Sequence, residues 1–400
     1  MMNKIKDVND FNFKNKIALV RVDFNVPIDN YGNITDDTRI KYSIPTIKKI
    51  IYDGGKIVLI SHFGRPKGIP SKKYSIKFLI PILSKILKRS VQFCENCIGK
   101  YVEEKIFKLK NGDVLLLENL RFHKSEEKED NKFSFELSKY ADIYVNDAFG
   151  TSHRIHSSII TVPKLFKNKK CIGFLMKKEI YNLDKFLSKR SKKPITIILG
   201  GAKISSKINV IEKFIDFANY ILIGGKMSYP FISMINNKNT DDINIKLKKS
   251  ITNILYKNKK KNIIILPEDV VLSKNINNIN HIKITSINSI PKKWEKLDIG
   301  PNSITNFFKI INKSKTILWN GPMGKFEIPK FSRGTMSIAK KISEITIKKN
   351  IYSIVGGGDS LYALKQQKCI NNISYLSTGG GAMLEYLKNK TLPGIKIIYS

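Results

Sequence analysis

Short apolar runs recur along the whole chain, each closed by Gly, Asp, Asn or Arg and followed by a stretch with helical spacing of its apolar positions. In the first half the runs fall at 17–22, 57–60, 91–93, 114–117 and 143–145, and in the second at 195–199, 220–223, 263–266, 316–319, 352–355 and 374–376. A strand with one wet face alternates polar and apolar residues, so runs that stay apolar belong to strands covered on both faces. Strand, loop, helix, strand, repeated in each half, predicts an α/β protein with two doubly wound, Rossmann-like parallel sheets. Length agrees: 400 residues exceed one ordinary core and suit two domains of roughly 150–200 residues each.

The two halves meet in FLMKKEIYNLDKFLSKRSKKP, residues 174–194. Phe174, Leu175, Ile180, Leu183 and Leu187 can form one apolar helix stripe, and Pro194 stops the helix before the next strand. The predicted organisation is an N-terminal domain at 1–173, a linking helix and hinge at 174–193 across a cleft, and a C-terminal domain at 194–389. No repeat of solenoid period occurs, and Lys/Asn tracts such as 257–262 read as surface connectors.

A net charge of +38 raises nucleic acid as a partner, because Lys and Arg displace counterions from phosphates. The lysines, however, run from end to end beside abundant Ile and Asn, no aromatics interleave with a basic tract, and no zinc-finger or RNP-type motif occurs. The expectation is no specific nucleic-acid partner, only salt-dependent, sequence-blind association. Cys94, Cys97, Cys171 and Cys369 make no disulfide framework, and the single C-x-x-C at 94–97 lacks the second pair of a zinc site. The first fifteen residues hold no apolar leader core and no run of 18 apolar residues occurs, so the expected place is the cytoplasm, away from membranes.

Arginine is scarce. Of 71 basic residues only eight are arginine, and Arg21, Arg39, Arg65, Arg121 and Arg154 all lie at predicted strand ends or turns in the first half. A guanidinium grips phosphate or carboxylate through a planar fork that an ammonium cannot imitate. In open α/β sheets ligands bind beyond the carboxyl ends of the strands. There the chain reads RVDFNVP (21–27), SHFGRP (61–66), ENLRF (118–122) and VNDAFGTSHR (145–154), with ITDDTRI bearing Arg39. With Asp23, Asn25, His62 and His153 these segments suit a small, highly anionic molecule that carries a hydroxyl. His123, His156 and His281 read as structural or surface residues.

In the second half the strand ends are glycine-rich: LGGAKISSK (199–207), IGGKMS (223–228), WNGPMGKFE (319–327), VGGGDS (355–360) and STGGGAM (377–383). Glycine lets backbone N–H groups approach phosphate oxygens, and a helix starting there adds its positive dipole end. Neither a P-loop nor a complete G-x-G-x-x-G is present. Asp359 could hold Mg²⁺ on nucleotide phosphates, Lys203 could reach a transferring phosphoryl group, and Glu327 could accept from ribose hydroxyls.

Taken in order, RVDFNVP, ITDDTRI, SHFGRP, ENLRF, VNDAFGTSHR, GFLMKKE, GGAKISSKI, WNGPMGKFE, GGGDS and STGGGAMLE closely resemble the phosphoglycerate kinase family over essentially the full length. The resemblance implies reversible phosphoryl transfer from 1,3-bisphosphoglycerate to ADP, giving 3-phosphoglycerate and ATP, with Mg²⁺, by in-line transfer after hinge closure in a monomer. It assigns Asp23, Phe24, Asn25, Arg39, His62, Phe63, Gly64, Arg65, Arg121 and Arg154 to the 3-phosphoglycerate site. It assigns Lys203, Lys207, Gly300, Glu327, Gly356, Gly357, Gly358, Asp359 and Ser360 to the nucleotide, with Mg²⁺ at Asp359. Arg39, Lys203 and Gly380, at a helix start, would surround the transferred group, and the tail from about 390 would return to the first domain. Lys226 stands where the family has a third glycine, beside the expected adenine pocket. Ser360 replaces Thr, Ser152 replaces Ala, and Phe63 replaces Leu. The competing readings are a nucleotide-binding scaffold without turnover and a basic nucleic-acid binder.

Overall fold

The apolar runs pair into two separate six-stranded sheets, each parallel throughout. The structure, a computed structural model, describes residues 5–237, 240–241, 243–276 and 281–399. The first sheet holds β1 (Ile17–Val22), β2 (Lys56–Ile60), β3 (Val91–Cys94), β4 (Val114–Leu117), β5 (Ile143–Asp147) and β6 (Lys170–Ile172), in the order β3-β4-β2-β1-β5-β6. Next along the chain come β7 (Ile195–Leu199), β8 (Tyr220–Ile223) and β9 (Ile264–Ile265), then β10 (Asp269–Ser273), β11 (Ile282–Ser286) and β12 (Glu295–Ile299). With β13 (Thr316–Asn320), β14 (Tyr352–Gly356) and β15 (Tyr375–Ser377), the second sheet runs β15-β14-β13-β7-β8-β9.

Both sheets turn about a central strand. From β1 the chain moves outward to β2 and the edge strand β3, returns to insert β4 between them, then crosses to place β5 and β6 on the other side of β1; β7 has β8 on one side and β13 on the other. The point where strand order reverses leaves a crevice at the carboxyl ends, since the connections on either side lead away from it. Burial on both faces explains the apolar runs: Ala18, Leu19, Val20 and Val22 are all sealed from solvent, as are Ile197, Ile198 and Leu199.

The chain divides into two compact units. One runs to Leu183 and takes the chain up again from Asn389; the other spans Asp184–Lys388. The division falls inside the helix Phe174–Leu187, within the segment expected to link the halves. Its start is tied to the first unit, where Phe174 N donates to Thr46 Oγ1 at 2.8 Å and Met176 N to Asp147 Oδ1 at 3.2 Å. Toward its end Phe186, rather than the expected Leu187, is the buried residue, with its ring 5.6 Å from that of Phe217. The last helix, Pro393–Tyr399, is seated on the first unit: Asn146 Nδ2 donates to Gly394 O and Gly394 N to Ser152 O.

Two features were not expected. Strand β6 is three residues long, too short to register as an apolar run. The second unit also carries an antiparallel sheet, β11-β10-β12. Its outer strand β11 is largely wet, with Ile282 and Ile284 exposed, so its sequence reads as polar connector rather than strand.

Removing side-chain volume from a sealed central strand should cost far more than from that wet edge. Leu116→Ala in β4 is expected to lower stability by about 2–5 kcal/mol, and Ile284→Ala in β11 by less than about 1 kcal/mol. Urea unfolding of the two variants tests this, and equal losses would contradict the burial assignment.

Candidate active site

In the first unit, the loops after β1, β2 and β4 are knitted by their own polar groups. Phe24 N donates to Ser61 Oγ at 3.0 Å, Phe63 N to Asn119 Oδ1 at 3.1 Å, and Asn119 Nδ2 back to Phe63 O at 2.8 Å. Gly64 N donates to Asn25 Oδ1 at 3.0 Å, and Arg121 NH1 to Gly64 O at 2.6 Å. Gly64 has φ +59, and a Cβ there would lie 2.5 Å from the Tyr74 ring, so this turn needs glycine on both counts. The Phe24 and Phe63 side chains are buried in the apolar core and leave only their backbone near the loop surface.

Charged groups collect on this frame. Asp23, nearly buried, has Arg39 NH1 3.3 Å from Oδ2, and the same NH1 donates to Asn25 O at 2.7 Å. Arg39 sits in the first turn of the helix Thr38–Tyr52, which aims it at the end of β1. Arg121 Nε lies 3.1 Å from Glu127 Oε1 but out of line for a hydrogen bond. Arg65 is exposed and Arg154 half-buried, and among the described residues neither guanidinium has a hydrogen bond or ion pair. Burial, then the neighbouring Arg154, brings Arg121 down to about 10. Burial also lowers Arg154, with Asp23 pulling the other way and Arg65 and Arg21 adding to the fall. His62, 2% exposed, is held well below its usual range by burial and then by Arg21, Arg121, Arg154 and Arg39. These shifts describe one basin of positive potential in which the guanidinium groups outnumber the carboxylates Asp23 and Glu127. His153 is half-buried.

Arg21 departs from the sequence reading. It is sealed in the core, with Nε donating to Ser158 Oγ at 2.9 Å, NH1 to Val22 O, and NH2 3.3 Å from His62 Nδ1. It lies behind the basin and cannot grip a ligand directly. Glu126 and Ser158 also escaped the sequence reading. KSEEKED looks like solvated charge, yet Glu126 is fully buried and accepts from Ser158 Oγ at 2.6 Å and Ser158 N at 3.0 Å. His156 Nδ1 lies 3.9 Å from Glu126 Oε1, and burial followed by the arginines drives it down to about 3.

In the second unit the glycine-bearing strand ends touch. A Cβ on Gly225 would lie 2.8 Å from Gly201 N and 3.0 Å from Pro322 O, so the loops after β7, β8 and β13 meet only because that Cβ is missing. A Cβ on Gly380 would lie 2.6 Å from Gly357 Cα. That contact brings the start of the helix Gly358–Gln366 beside the start of the helix Gly380–Asn389, so two positive dipole ends converge. Asn320 Nδ2 donates to Gly356 O at 2.8 Å and Gly321 N to Ser360 Oγ at 2.8 Å, so Gly356 and Ser360 are buried supports of the loop. Gly358 has open space where a Cβ would stand.

Two adjoining cavities follow. One of about 330 Å³ is lined by Lys203, Lys207, Asn320, Gly321, Gly357 and Asp359 among others; one of about 270 Å³ by Lys226, Tyr229, Lys296, Asp298, Lys325 and Glu327 among others. They share Gly201, Ala202, Pro322 and Asp359. Lys203 is exposed, and among the described residues its ammonium has no partner. Lys207 Nζ donates to Gly200 O at 2.6 Å and Asn320 O at 3.1 Å, and burial, partly offset by Asp359, lowers it to about 8. Gly300 lines neither cavity: it packs against the buried Asp269 carboxylate, which caps the helix Pro301–Lys313 through Asn302 N and Ser303 N. Lys296, with Nζ 4.2 Å from the centre of the Tyr229 ring, joins Lys226 at the second cavity, and neither it nor Lys325 was singled out from sequence.

Asp359 is raised by burial and by Glu327, and lowered by Lys207. Among the described residues no group of three or more His, Cys, Asp or Glu could hold a metal ion. A single liganding carboxylate from Asp359 would fit Mg²⁺, which keeps several waters and takes its remaining ligands from substrate phosphates. All four cysteines are free and buried, and no helix among the described residues is long and apolar enough to cross a membrane.

Parallel α/β units with a guanidinium basin at one set of strand ends, and with lysines and helix starts at the other, define a phosphate-handling enzyme. Comparison with known proteins narrows this. The family model described as phosphoglycerate kinase matches residues 8–390. Phosphoglycerate kinase of Plasmodium falciparum is 45% identical, with 98% of this chain and 97% of that protein covered; the cytosolic phosphoglycerate kinase 3 of Arabidopsis thaliana is 42% identical, with 97% and 96% covered. The solved phosphoglycerate kinase of Pyrococcus horikoshii superposes with a TM-score of 0.82 at 31% identity, covering 98% of each chain. The chain belongs to the phosphoglycerate kinase family, and its chemistry is that of a phosphotransferase.

Asp298 offers a test of the second unit. Burial pushes its carboxyl up to about 7, against the lowering effect of hydrogen bonds from Gly334 N and Ile299 N. Between the unfolded value near 4 and about 7 the folded state binds the proton more tightly, so this contribution is complete at low pH and is lost as pH rises through about 7. Asp298→Asn carries no such titration. Its stability relative to the parent is expected to improve between pH 5 and pH 8 in urea unfolding; a constant difference would refute the neutral carboxyl.

Proposed function

We propose that the protein catalyses reversible, Mg²⁺-dependent transfer of a phosphoryl group from 1,3-bisphosphoglycerate to ADP, giving 3-phosphoglycerate and ATP, as a cytoplasmic monomer serving glycolysis and gluconeogenesis. The observation that carries the reading is the pair of unpartnered guanidinium groups, Arg65 and Arg154, beside the Asp23–Arg39 pair in a chain that matches the family over residues 8–390. Cations without protein anions are costly to assemble, and a phosphorylated carboxylic acid supplies the missing charge. Asp23 and Asn25 suit its hydroxyl, and Arg39, His62, Arg121 and the Gly64 backbone suit its anionic ends. The N-terminal unit with the tail is read as the glycerate domain and the C-terminal unit as the nucleotide domain.

The nucleotide phosphates are assigned to Lys203, Lys207 and the starts of the helices at Gly358 and Gly380, and the base and ribose to the cavity lined by Lys226, Tyr229 and Glu327. When bound with the nucleotide, Mg²⁺ at Asp359 supplies charge neutralisation on the phosphates. Toward ATP the attacking group is an ionised phosphate oxygen of ADP and the carboxylate leaves; in reverse the ionised carboxylate attacks, so neither direction requires a general base. Lys203, Arg39 and the Gly380 amide then stabilise charge as it spreads over the phosphoryl oxygens. In-line transfer needs both substrates end to end with water excluded, a task assigned to hinge closure about the linking helix.

Purified protein is expected to form ATP from 1,3-bisphosphoglycerate and ADP in a coupled assay, and Arg39→Lys to lower turnover at least about tenfold. Nucleotide binding without transfer would leave a scaffold, and near-parental turnover in the variant would remove Arg39 from the chemistry. A second test uses Lys207. Only its ammonium attracts phosphate, so ADP affinity measured by calorimetry without Mg²⁺ should fall by up to about tenfold between pH 7 and pH 9. Lys207→Gln should bind more weakly with a flatter profile; an unchanged slope would exclude Lys207 as its source.

A further inference from the structure

Arg21 is fully buried, touches no cavity lining described above, and yet spends one edge of its fork on His62. A guanidinium carries donors and no acceptor. With Arg21 NH2 3.3 Å from His62 Nδ1, that ring nitrogen must accept, and so must be unprotonated. The other candidate partner, Asp23 Oδ1, lies 3.8 Å from Nδ1, beyond hydrogen-bond range. The ring proton is left on Nε2, for which no protein partner is found among the described residues.

The fork is itself held from behind. Ser158 Oγ gives its single proton to Glu126 Oε1 at 2.6 Å, which leaves a lone pair for Arg21 Nε at 2.9 Å. Glu126 accepts a second bond from Ser158 N at 3.0 Å, and the whole chain lies out of water. Every bond has one permitted direction: Arg21 donates to Ser158 and His62, and Ser158 donates to Glu126. Protonating His62 would turn an N–H toward a guanidinium and add a cation to a basin already holding Arg39, Arg121 and Arg154, with Asp23 as the near carboxylate.

We propose that Arg21 is a positioning residue, fixing His62 from inside the core as the neutral Nε2–H tautomer, with Ser158 and Glu126 keeping the guanidinium in register. The ring then offers an anionic substrate one permanent donor without adding charge, across the pH range where histidine ordinarily titrates. That use of the donor rests on the reading of His62 as a glycerate ligand; the tautomer does not.

The two parts separate experimentally. In ¹⁵N-labelled protein without substrate, long-range ¹H–¹⁵N spectra should show His62 with an imine-type Nδ1 and an amine-type Nε2, unchanged between pH 5.5 and 8. The resonance is assigned by its loss in His62→Gln. A protonated Nδ1, or titration in that range, overturns the proposal with no variant needed. In Arg21→Lys the ring should become a tautomer mixture, with KM for 3-phosphoglycerate rising about tenfold and kcat changing less than about threefold. Ser158→Ala should move both readouts the same way by less. An intact tautomer in Arg21→Lys overturns the role of Arg21. A changed tautomer with unchanged KM supports the positioning and instead removes His62 from glycerate binding.

Discussion

Mutual repulsion among buried and half-buried guanidinium groups is the constraint around which the first unit is built. Burial first, and after it the repulsion among Arg21, Arg121 and Arg154, lowers Arg121, Arg154 and His62. A cluster of this kind persists only if the fold supplies counter-charge and fixed geometry, since burying an unpaired charge costs several kcal/mol. Glu126 supplies that charge from beneath, through Ser158, and Asp23 supplies it at the surface, through Arg39. Arg65 and Arg154 remain without a hydrogen bond or ion pair at their guanidinium groups among the described residues, though Asp23 acts on Arg154 from a distance.

The second unit meets the same demand by other means. The groups at its strand ends are mainly backbone amides and two lysines, arranged by contacts in which one loop packs where another residue's Cβ would be. Amide dipoles at helix starts bring partial charge without any ion to desolvate. The two lysines differ accordingly. Lys203 stays in water, whereas Lys207 is drawn in, satisfied by two carbonyl oxygens, and loses basicity.

Departures from the family pattern stand out against this background. Lys226, noticed from sequence beside the expected adenine pocket, lines the cavity of about 270 Å³ together with Lys296 and Lys325. One of these, Lys296, lies over the Tyr229 ring, where the aromatic face offsets part of the cost of its burial. The high lysine content therefore reaches into a ligand cavity at specific points as well as spreading over the surface.

The order of strands and loops was legible in the sequence because strands covered on both faces must be continuously apolar, and because glycine and arginine at their ends have few other uses. Most strand runs match observed strands to within a residue or two at either end, and hydrogen bonds and an ion pair join Asp23, Asn25, Arg39, Gly64 and Arg121. Short β6 and the wet strand β11 were invisible, since neither is apolar enough over enough residues to leave a pattern. Which charges face a ligand was equally hidden. Arg21 and Arg39 look alike in sequence, yet one is sealed behind His62 and the other stands at a helix start; Glu126 sits in a run that reads as solvated and is buried. Side-chain direction at a strand end depends on what the neighbouring strands and loops leave open, and only the tertiary packing decides that.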